Sequence, residues 1–218
     1  MSRRATVTRT RGSVHWVGYL GEEIPCAVDR RRNGRRGATG RVLPGDEVEI
    51  ERQSDGTYVI SDTRPRRNEL AWARTHGRSP VSAANVDCMV IVESAVKPEF
   101  NRRVVDRLLA AAKRRGTGAL VVVTKCDLTD ESLVRSQVAR LAEEGVDVVP
   151  TSAVSGAGLA AVRARLRGRI SAIVGRPGVG KSRLVRALYP GHDPEADPAI
   201  ATRRAELHPV PGGGYVVL

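Results

Sequence analysis

The residues richest in chemical information form one octapeptide, Gly175-Arg176-Pro177-Gly178-Val179-Gly180-Lys181-Ser182, a complete Gly-x-x-x-x-Gly-Lys-Ser pattern. Binding a phosphate chain takes backbone N–H groups that converge on its oxygens, and glycines permit the turn that makes them converge. A helix opening at the lysine adds the positive end of its dipole. Lys181 is then placed to reach the β and γ phosphates, and Ser182 offers a hydroxyl to magnesium. Context separates such a loop from an ordinary Gly-rich turn. Here the apolar run Ile170 to Val174 reads as a buried strand before it, and Lys181 to Leu188 reads as a helix after it. Lysine is scarce, 4 residues beside 32 arginines, and two of the four stand in motifs.

The second of these lies in Thr124-Lys125-Cys126-Asp127, directly after the apolar run Ala119 to Val123. The tetrapeptide resembles the Asn/Thr-Lys-x-Asp guanine motif of GTPases, in which the aspartate accepts hydrogen bonds from guanine N1 and N2 and the lysine stem lies along the base. Adenine offers no such donor pair, so a carboxylate at Asp127 would be left unpaired against it, which selects guanine. Thr124 keeps a hydroxyl where the usual asparagine has an amide. Thr151-Ser152-Ala153 follows a third strand run, Val146 to Pro150, and matches the Ser-Ala motif whose backbone N–H groups contact guanine O6. Either of these two segments alone is a common strand end. Together with the octapeptide they are specific.

Their order carries further information. In ordinary GTPases the phosphate loop comes first, whereas here it comes last, roughly fifty residues after the guanine motif. With short strands upstream, the chain resembles the RsgA/YjeQ family of ribosome small-subunit-dependent, circularly permuted GTPases. The likeness extends to Ala84-Asn85-Val86-Asp87, Thr124 to Leu128, Thr151 to Leu159, Gly168-Arg169-Ile170, Glu206-Leu207 and Pro211-Gly212-Gly213-Gly214. It implies GTP and Mg2+ as ligands, an OB-fold barrel touching ribosomal RNA, and GTP hydrolysis stimulated by the small ribosomal subunit. It also implies a role in that subunit's maturation and a cytoplasmic location. The competing expectation is a non-catalytic RNA-binding module, or an inactive fragment that binds guanine nucleotide without efficient hydrolysis.

Two departures from the family pattern shape the expectation. Asp197 to Arg204 stands where the family has a Gly-Arg-His-Thr-Thr-Thr-like switch, leaving Thr202 as the threonine to sense magnesium and the γ phosphate. The Asp-x-Pro-Gly switch that would follow the strand run Tyr215 to Leu218, and the family's zinc-binding domain, are not among these 218 residues. The reading is therefore a GTPase domain incomplete at its C-terminus, without a zinc site, that binds guanine nucleotide and hydrolyses GTP slowly or not at all. No catalytic side chain is assigned, since His15, His76, His192 and His208 form no interpretable spacing.

These motifs require a scaffold that aligns them. From Asp87 onward, short apolar runs alternate with helical patterns: Asn101 reads as the N-cap of a helix with Val104, Val105, Leu108, Leu109 and Ala112 on one face, ended by Gly116. Asp130 reads as the cap of the next helix, and Gly158 to Leu166 as a third. This β-α-β order predicts a parallel sheet covered on both faces. Upstream, Thr6–Thr10, Ser13–Leu20, Ile24–Val28, Asp46–Arg52 and Thr57–Thr63 read as strands of a small OB-like barrel. The expected organisation is an N-terminal β-barrel (OB-fold) over 1–70, a linker over 71–85, and an α/β P-loop GTPase domain with circularly permuted motif order over 86–218.

Composition agrees with a soluble nucleic-acid-contacting protein. The chain has 36 Lys+Arg against 24 Asp+Glu, a net charge of +12, which favours a polyanionic partner. A hydrophobic share of 41% excludes a disordered tail. No run approaches the roughly 18 to 20 apolar residues of a helical membrane span, so no membrane partner is expected, and the chain is expected to be a monomer. Three scattered cysteines, Cys26, Cys88 and Cys126, suggest neither disulfides nor a metal site. Arg30, Arg31, Arg32, Arg35, Arg36 and Arg41 crowd one loop of the barrel and are the expected RNA phosphate contacts. Trp16, Tyr19 and Tyr58, as strand residues, are expected in the barrel core rather than stacked on bases.

Overall fold

The computed structural model describes residues 2–29, 41–72, 81–189, 206–210 and 213–217. The chain forms two compact units, one built on Met1–Val86 and the other on Asp87–Thr202 with Pro209–Val216.

In the first unit, β1 (Arg3–Arg11), β2 (Val14–Tyr19), β3 (Glu22–Val28), β4 (Glu47–Arg52) and β5 (Tyr58–Thr63) close into a barrel in the order β1-β2-β3-β5-β4. β3 and β5 run parallel while the other neighbours are antiparallel, the five-stranded arrangement of an OB-fold. Alternation along the strands sends Ala5, Val7, Val17, Val48, Ile50 and Ile60 inward to one buried cluster. Tyr19 and Tyr58 pack against that cluster. Trp16 does not, contrary to expectation: its neighbour Val17 takes the inward position, and the Arg9 guanidinium lies 4.5 Å from the Trp16 ring centroid.

The segment read as a linker is structured at both ends. β6 (Glu69–Trp72) and β7 (Val81–Ala84) form an antiparallel ribbon in which Leu70 faces Ala83, both buried. The middle of that segment, 73–80, lies outside the described residues. Below the barrel, Gly45 has φ +93°, and a Cβ there would sit 2.0 Å from the Ala84 carbonyl oxygen, so no side chain fits. Asn85 closes this corner by donating from Nδ2 to the Gly45 carbonyl at 2.9 Å.

Beyond Val86 the elements follow as β8 (Cys88–Ser94), α1 (Arg102–Arg114), β9 (Gly118–Thr124), α2 (Glu131–Glu143), β10 (Val148–Pro150), α3 (Leu159–Leu166), β11 (Ile170–Val174), α4 (Lys181–Leu188), β12 (Leu207–Pro209) and β13 (Tyr215–Val217). The sheet order is β10-β9-β8-β11-β13-β12, with β8 through β11 parallel. Every residue of β8 is buried, as a central strand covered on both faces requires. Cys88, Val90, Val92, Leu120 and Val122 pack with Leu159, Val162 and Leu166 of α3 and Leu184, Val185 and Leu188 of α4. Met89, Ile91, Val121 and Val123, on the alternate pleat, are equally buried, and α1 packs on β8 and β9.

Helix boundaries follow the capping chemistry in part. The Asn101 side chain accepts from the Val104 N–H at 3.2 Å, as its position before α1 predicts. Asp130 stands at the N-cap of α2 but its side chain makes no capping hydrogen bond. The strand order reverses at β8, since β9 and β10 extend to one side of it and β11, parallel to it, lies on the other. Crevices beyond the carboxyl ends of parallel strands at such a reversal are where open α/β sheets hold ligands.

Candidate nucleotide site

Three loops leave the carboxyl ends of β9, β10 and β11, and the sequence motifs occupy all three. Hydrogen bonds tie them to one another. At the end of β9 the buried Thr124 hydroxyl lies 2.5 Å from the Val179 carbonyl oxygen of the phosphate loop and 3.3 Å from the Glu93 carbonyl oxygen. Lys125 adopts a left-handed backbone conformation with φ +59°, unusual for a non-glycine residue. From there its ammonium donates to the Gly178 carbonyl at 2.8 Å and to the Lys97 carbonyl. Lys125 thus bridges the phosphate loop and the loop after β8.

The third loop joins through its backbone. The Cys126 N–H donates to the Thr151 carbonyl at 3.2 Å, and the Thr151 N–H donates to the Val123 carbonyl at 2.7 Å. Ser152 uses its hydroxyl internally, accepting from the Val154 and Ser155 N–H groups at 3.2 and 3.1 Å. That keeps the Ser152-Ala153 turn closed and leaves Ala153 half-buried at its edge. Asp127 lies exposed in a short 3-10 turn, Cys126–Leu128, where a carboxylate keeps both oxygens available to a ligand.

Residues 175–182 form a strand-to-helix loop. Gly175 passes so close to β8 that a Cβ would fall 2.3 Å from the Val92 carbonyl oxygen, and Gly180, with φ +97°, is the N-cap residue of α4. Val179 is fully buried while Pro177 and Gly178 are exposed. Lys181 folds back over the loop, its ammonium donating to the Gly175 and Arg176 carbonyls at 2.9 and 2.8 Å. Burial lowers its pKa below the ordinary lysine value, and the negative charge of Glu93 opposes that shift. Ser182 is half-buried in the first turn of α4. A serine hydroxyl is a hard oxygen donor, the type magnesium takes alongside phosphate oxygens and water.

One charged neighbour of the loop at 175–182 was not singled out by sequence reasoning. Glu93, the sixth residue of β8, is 1% exposed and receives a two-pronged contact from Arg176, Nη2 to Oε1 at 2.5 Å and Nε to Oε2 at 3.2 Å. The same Nη2 donates to the Glu99 carbonyl at 2.6 Å. The available signal was a lone carboxylate at the end of an otherwise apolar run, in a chain whose phosphate loop carries an arginine. Thr202 and Arg30, Arg31, Arg32, Arg35 and Arg36 lie outside the described residues. Arg41 is exposed, and its carbonyl accepts from Arg66 Nη2 at 2.7 Å. Cys26 and Cys88 are buried free thiols whose pKa burial pushes up to about 11.

Comparison with known proteins bears on the whole chain. The profile of the RsgA GTPase family matches residues 63–217. A small ribosomal subunit biogenesis GTPase RsgA of Gemmatimonas aurantiaca is 33% identical over 229 residues, an alignment covering 99% of this chain and 74% of that protein. The crystal structure of YjeQ from Thermotoga maritima is similar over 100% of this chain and 74% of its own, with a TM-score of 0.81 and 29% identity. YloQ, a circularly permuted GTPase, has the same fold, with a TM-score of 0.76 and 24% identity. A five-stranded barrel, a sheet whose guanine-type motif precedes its phosphate loop, and a family match across 63–217 all lead to one assignment: the chain belongs to the RsgA GTPase family.

Proposed function

We propose that residues 124–127, 151–153 and 175–182 form one GTP site, and that the chain uses it as a GTPase in maturation of the small ribosomal subunit. The observation that carries this reading is the set of hydrogen bonds joining the three loops, Thr124 to Val179, Lys125 to Gly178 and Cys126 to Thr151. They tie the loops after β9 and β10 to the loop after β11, across the carboxyl end of the intervening β8, which suits one segment to the base and the other to the phosphates. Pro177 has no N–H, so the phosphate cradle falls to the backbone of Gly178, Val179, Gly180, Lys181 and Ser182. Lys181, now on two loop carbonyls, would exchange them for phosphate oxygens. Asp127 would accept from guanine N1 and N2, and the Ser152-Ala153 backbone would face O6.

Ser182 would hold Mg2+, which would supply positive charge against the negative charge that develops on the phosphates during transfer. The barrel is read as the ribosomal RNA contact, with Arg3 and Arg9 stacked over Tyr19 and Trp16 at 5.6 and 4.5 Å on a strongly basic chain. A cytoplasmic setting goes with that partner, and among the described residues no helix is long and apolar enough to cross a membrane. The test is a titration with fluorescent GDP and ATP together with a filter assay on small-subunit RNA. The expected result is GDP binding that Lys181→Ala weakens at least a hundredfold, ATP at least a hundredfold weaker than GDP, and salt-sensitive RNA binding. RNA binding without any nucleotide binding would overturn the GTPase reading in favour of a plain RNA-binding module.

A further inference from the structure

Arg176 and Glu93 meet at the point where the strand order of the sheet reverses. Glu93 ends the apolar part of β8 at 1% exposure, and Arg176 is the second residue of the phosphate loop. A carboxylate this buried beside a loop built for phosphate is an electrostatic liability, because it repels an incoming polyanion and attracts whatever cation is near. Two cations are near. Arg176 makes the forked contact to both Glu93 oxygens, and Lys181 senses the same carboxylate, whose charge opposes the lowering of the lysine pKa by burial. Only one of them is required elsewhere.

We propose that Arg176 is a positioning residue that occupies Glu93 and thereby leaves Lys181 free for nucleotide phosphate. The geometry fits that division of labour. Arg176 extends from the loop toward β8 and is anchored a second time on the Glu99 carbonyl at 2.6 Å, so its guanidinium is held on the carboxylate. Lys181 instead rests on two neutral carbonyls, those of Gly175 and Arg176, which it can leave without breaking an ion pair. Without Arg176, Glu93 is left without its cation, the Lys181 ammonium that already senses its charge is drawn toward it, and a lysine drawn into that pair is withdrawn from phosphate. The pair is then a device for keeping a second charge available.

This inference rests on the reading of 175–182 as the phosphate site, and the experiment separates the two. GDP affinity is measured by fluorescent-nucleotide titration on the full chain for wild type, Lys181→Ala, Arg176→Gln, Glu93→Gln, the Arg176→Gln/Glu93→Gln double variant and Arg176→Lys, with thermal melts alongside. The expected result is a loss of about tenfold or more in Arg176→Gln and near-wild-type binding in Glu93→Gln. The double variant should recover to within about threefold of wild type. Arg176→Lys, which keeps a cation on Glu93 and covers the case in which Arg176→Gln does not fold, should also stay within about threefold. A double variant no better than Arg176→Gln, or an Arg176→Lys as weak as Arg176→Gln, overturns the proposal and leaves the pair a structural brace. Unchanged binding in Arg176→Gln overturns it while sparing the phosphate-site reading. Wild-type binding insensitive to Lys181→Ala overturns both.

Discussion

The Thr124 hydroxyl and the Val179 carbonyl oxygen, 55 residues apart in the chain, lie 2.5 Å from each other at full burial. Val179 is itself inaccessible, so no water can take the place of that hydroxyl. The contact makes the end of β9 and the middle of the phosphate loop a single rigid piece. Threonine in the first position of the guanine-type motif therefore joins the two segments through its hydroxyl, without the amide of an asparagine.

Thr124→Val keeps the shape of the side chain and removes the donor. It leaves the buried Val179 carbonyl without that partner, a loss of about 1–3 kcal/mol, and it unties the loop that places Lys125 against Gly178. Denaturant unfolding should show that drop, and GDP affinity should fall about tenfold. Thr124→Ser, which retains the hydroxyl, should lose far less on both readouts. A valine variant with unchanged stability and unchanged GDP affinity would show that the link carries no weight.

Much of this arrangement was legible in the sequence, because each motif stands directly after a short apolar run and the turn residues leave few alternatives. The five barrel strands and four strands of the parallel sheet lie where β-branched runs between Gly and Pro predict them, and Asn101 caps the helix it precedes. What escaped was whatever depends on partners distant in sequence. Leu70 and Ala83 look unremarkable in a Gly-, Pro- and Ser-containing stretch, yet they pair across a ribbon. Trp16 reads as core by residue type, but strand parity gives the interior to Val17. The role of Glu93 appears only when β8 and β11 are placed side by side, since Arg176 lies 83 residues away.

Lys181 also predicts a pH dependence in the nucleotide-free protein. Burial lowers its pKa in the folded chain, with Glu93 only partly offsetting, while the unfolded chain keeps the ordinary lysine value. Between those two values the unfolded chain binds more protons, so stability rises with pH through that window. Below it both states carry the proton and the folded state bears the whole desolvation cost. Lys181→Met should therefore raise Tm at neutral pH, by on the order of 1–2 °C, and the gain should shrink as pH approaches the ordinary lysine range. The same variant should lose nucleotide binding. A lower Tm at neutral pH, or a gain that grows with pH, would contradict this account of the lysine.

In the barrel unit the most exposed weakness is electrostatic. Asp46 is 0% exposed, and its oxygens accept from Arg66 Nε at 2.7 Å, Arg66 Nη2 at 2.9 Å and the Leu43 N–H at 2.8 Å. Removing one partner of a buried pair strands the other charge, so Arg66→Ala should destabilise this unit by about 3–5 kcal/mol. Asp46→Asn added to Arg66→Ala removes the stranded charge and keeps an oxygen for the Leu43 N–H, so the double variant should be the more stable of the two. Both tryptophans of the chain, Trp16 and Trp72, belong to this unit, which makes intrinsic fluorescence in a urea titration a selective reporter. A double variant that unfolds at lower urea than Arg66→Ala would mean that the aspartate is held by its remaining contacts rather than by the arginine, and the ion pair would no longer account for the stability of this corner.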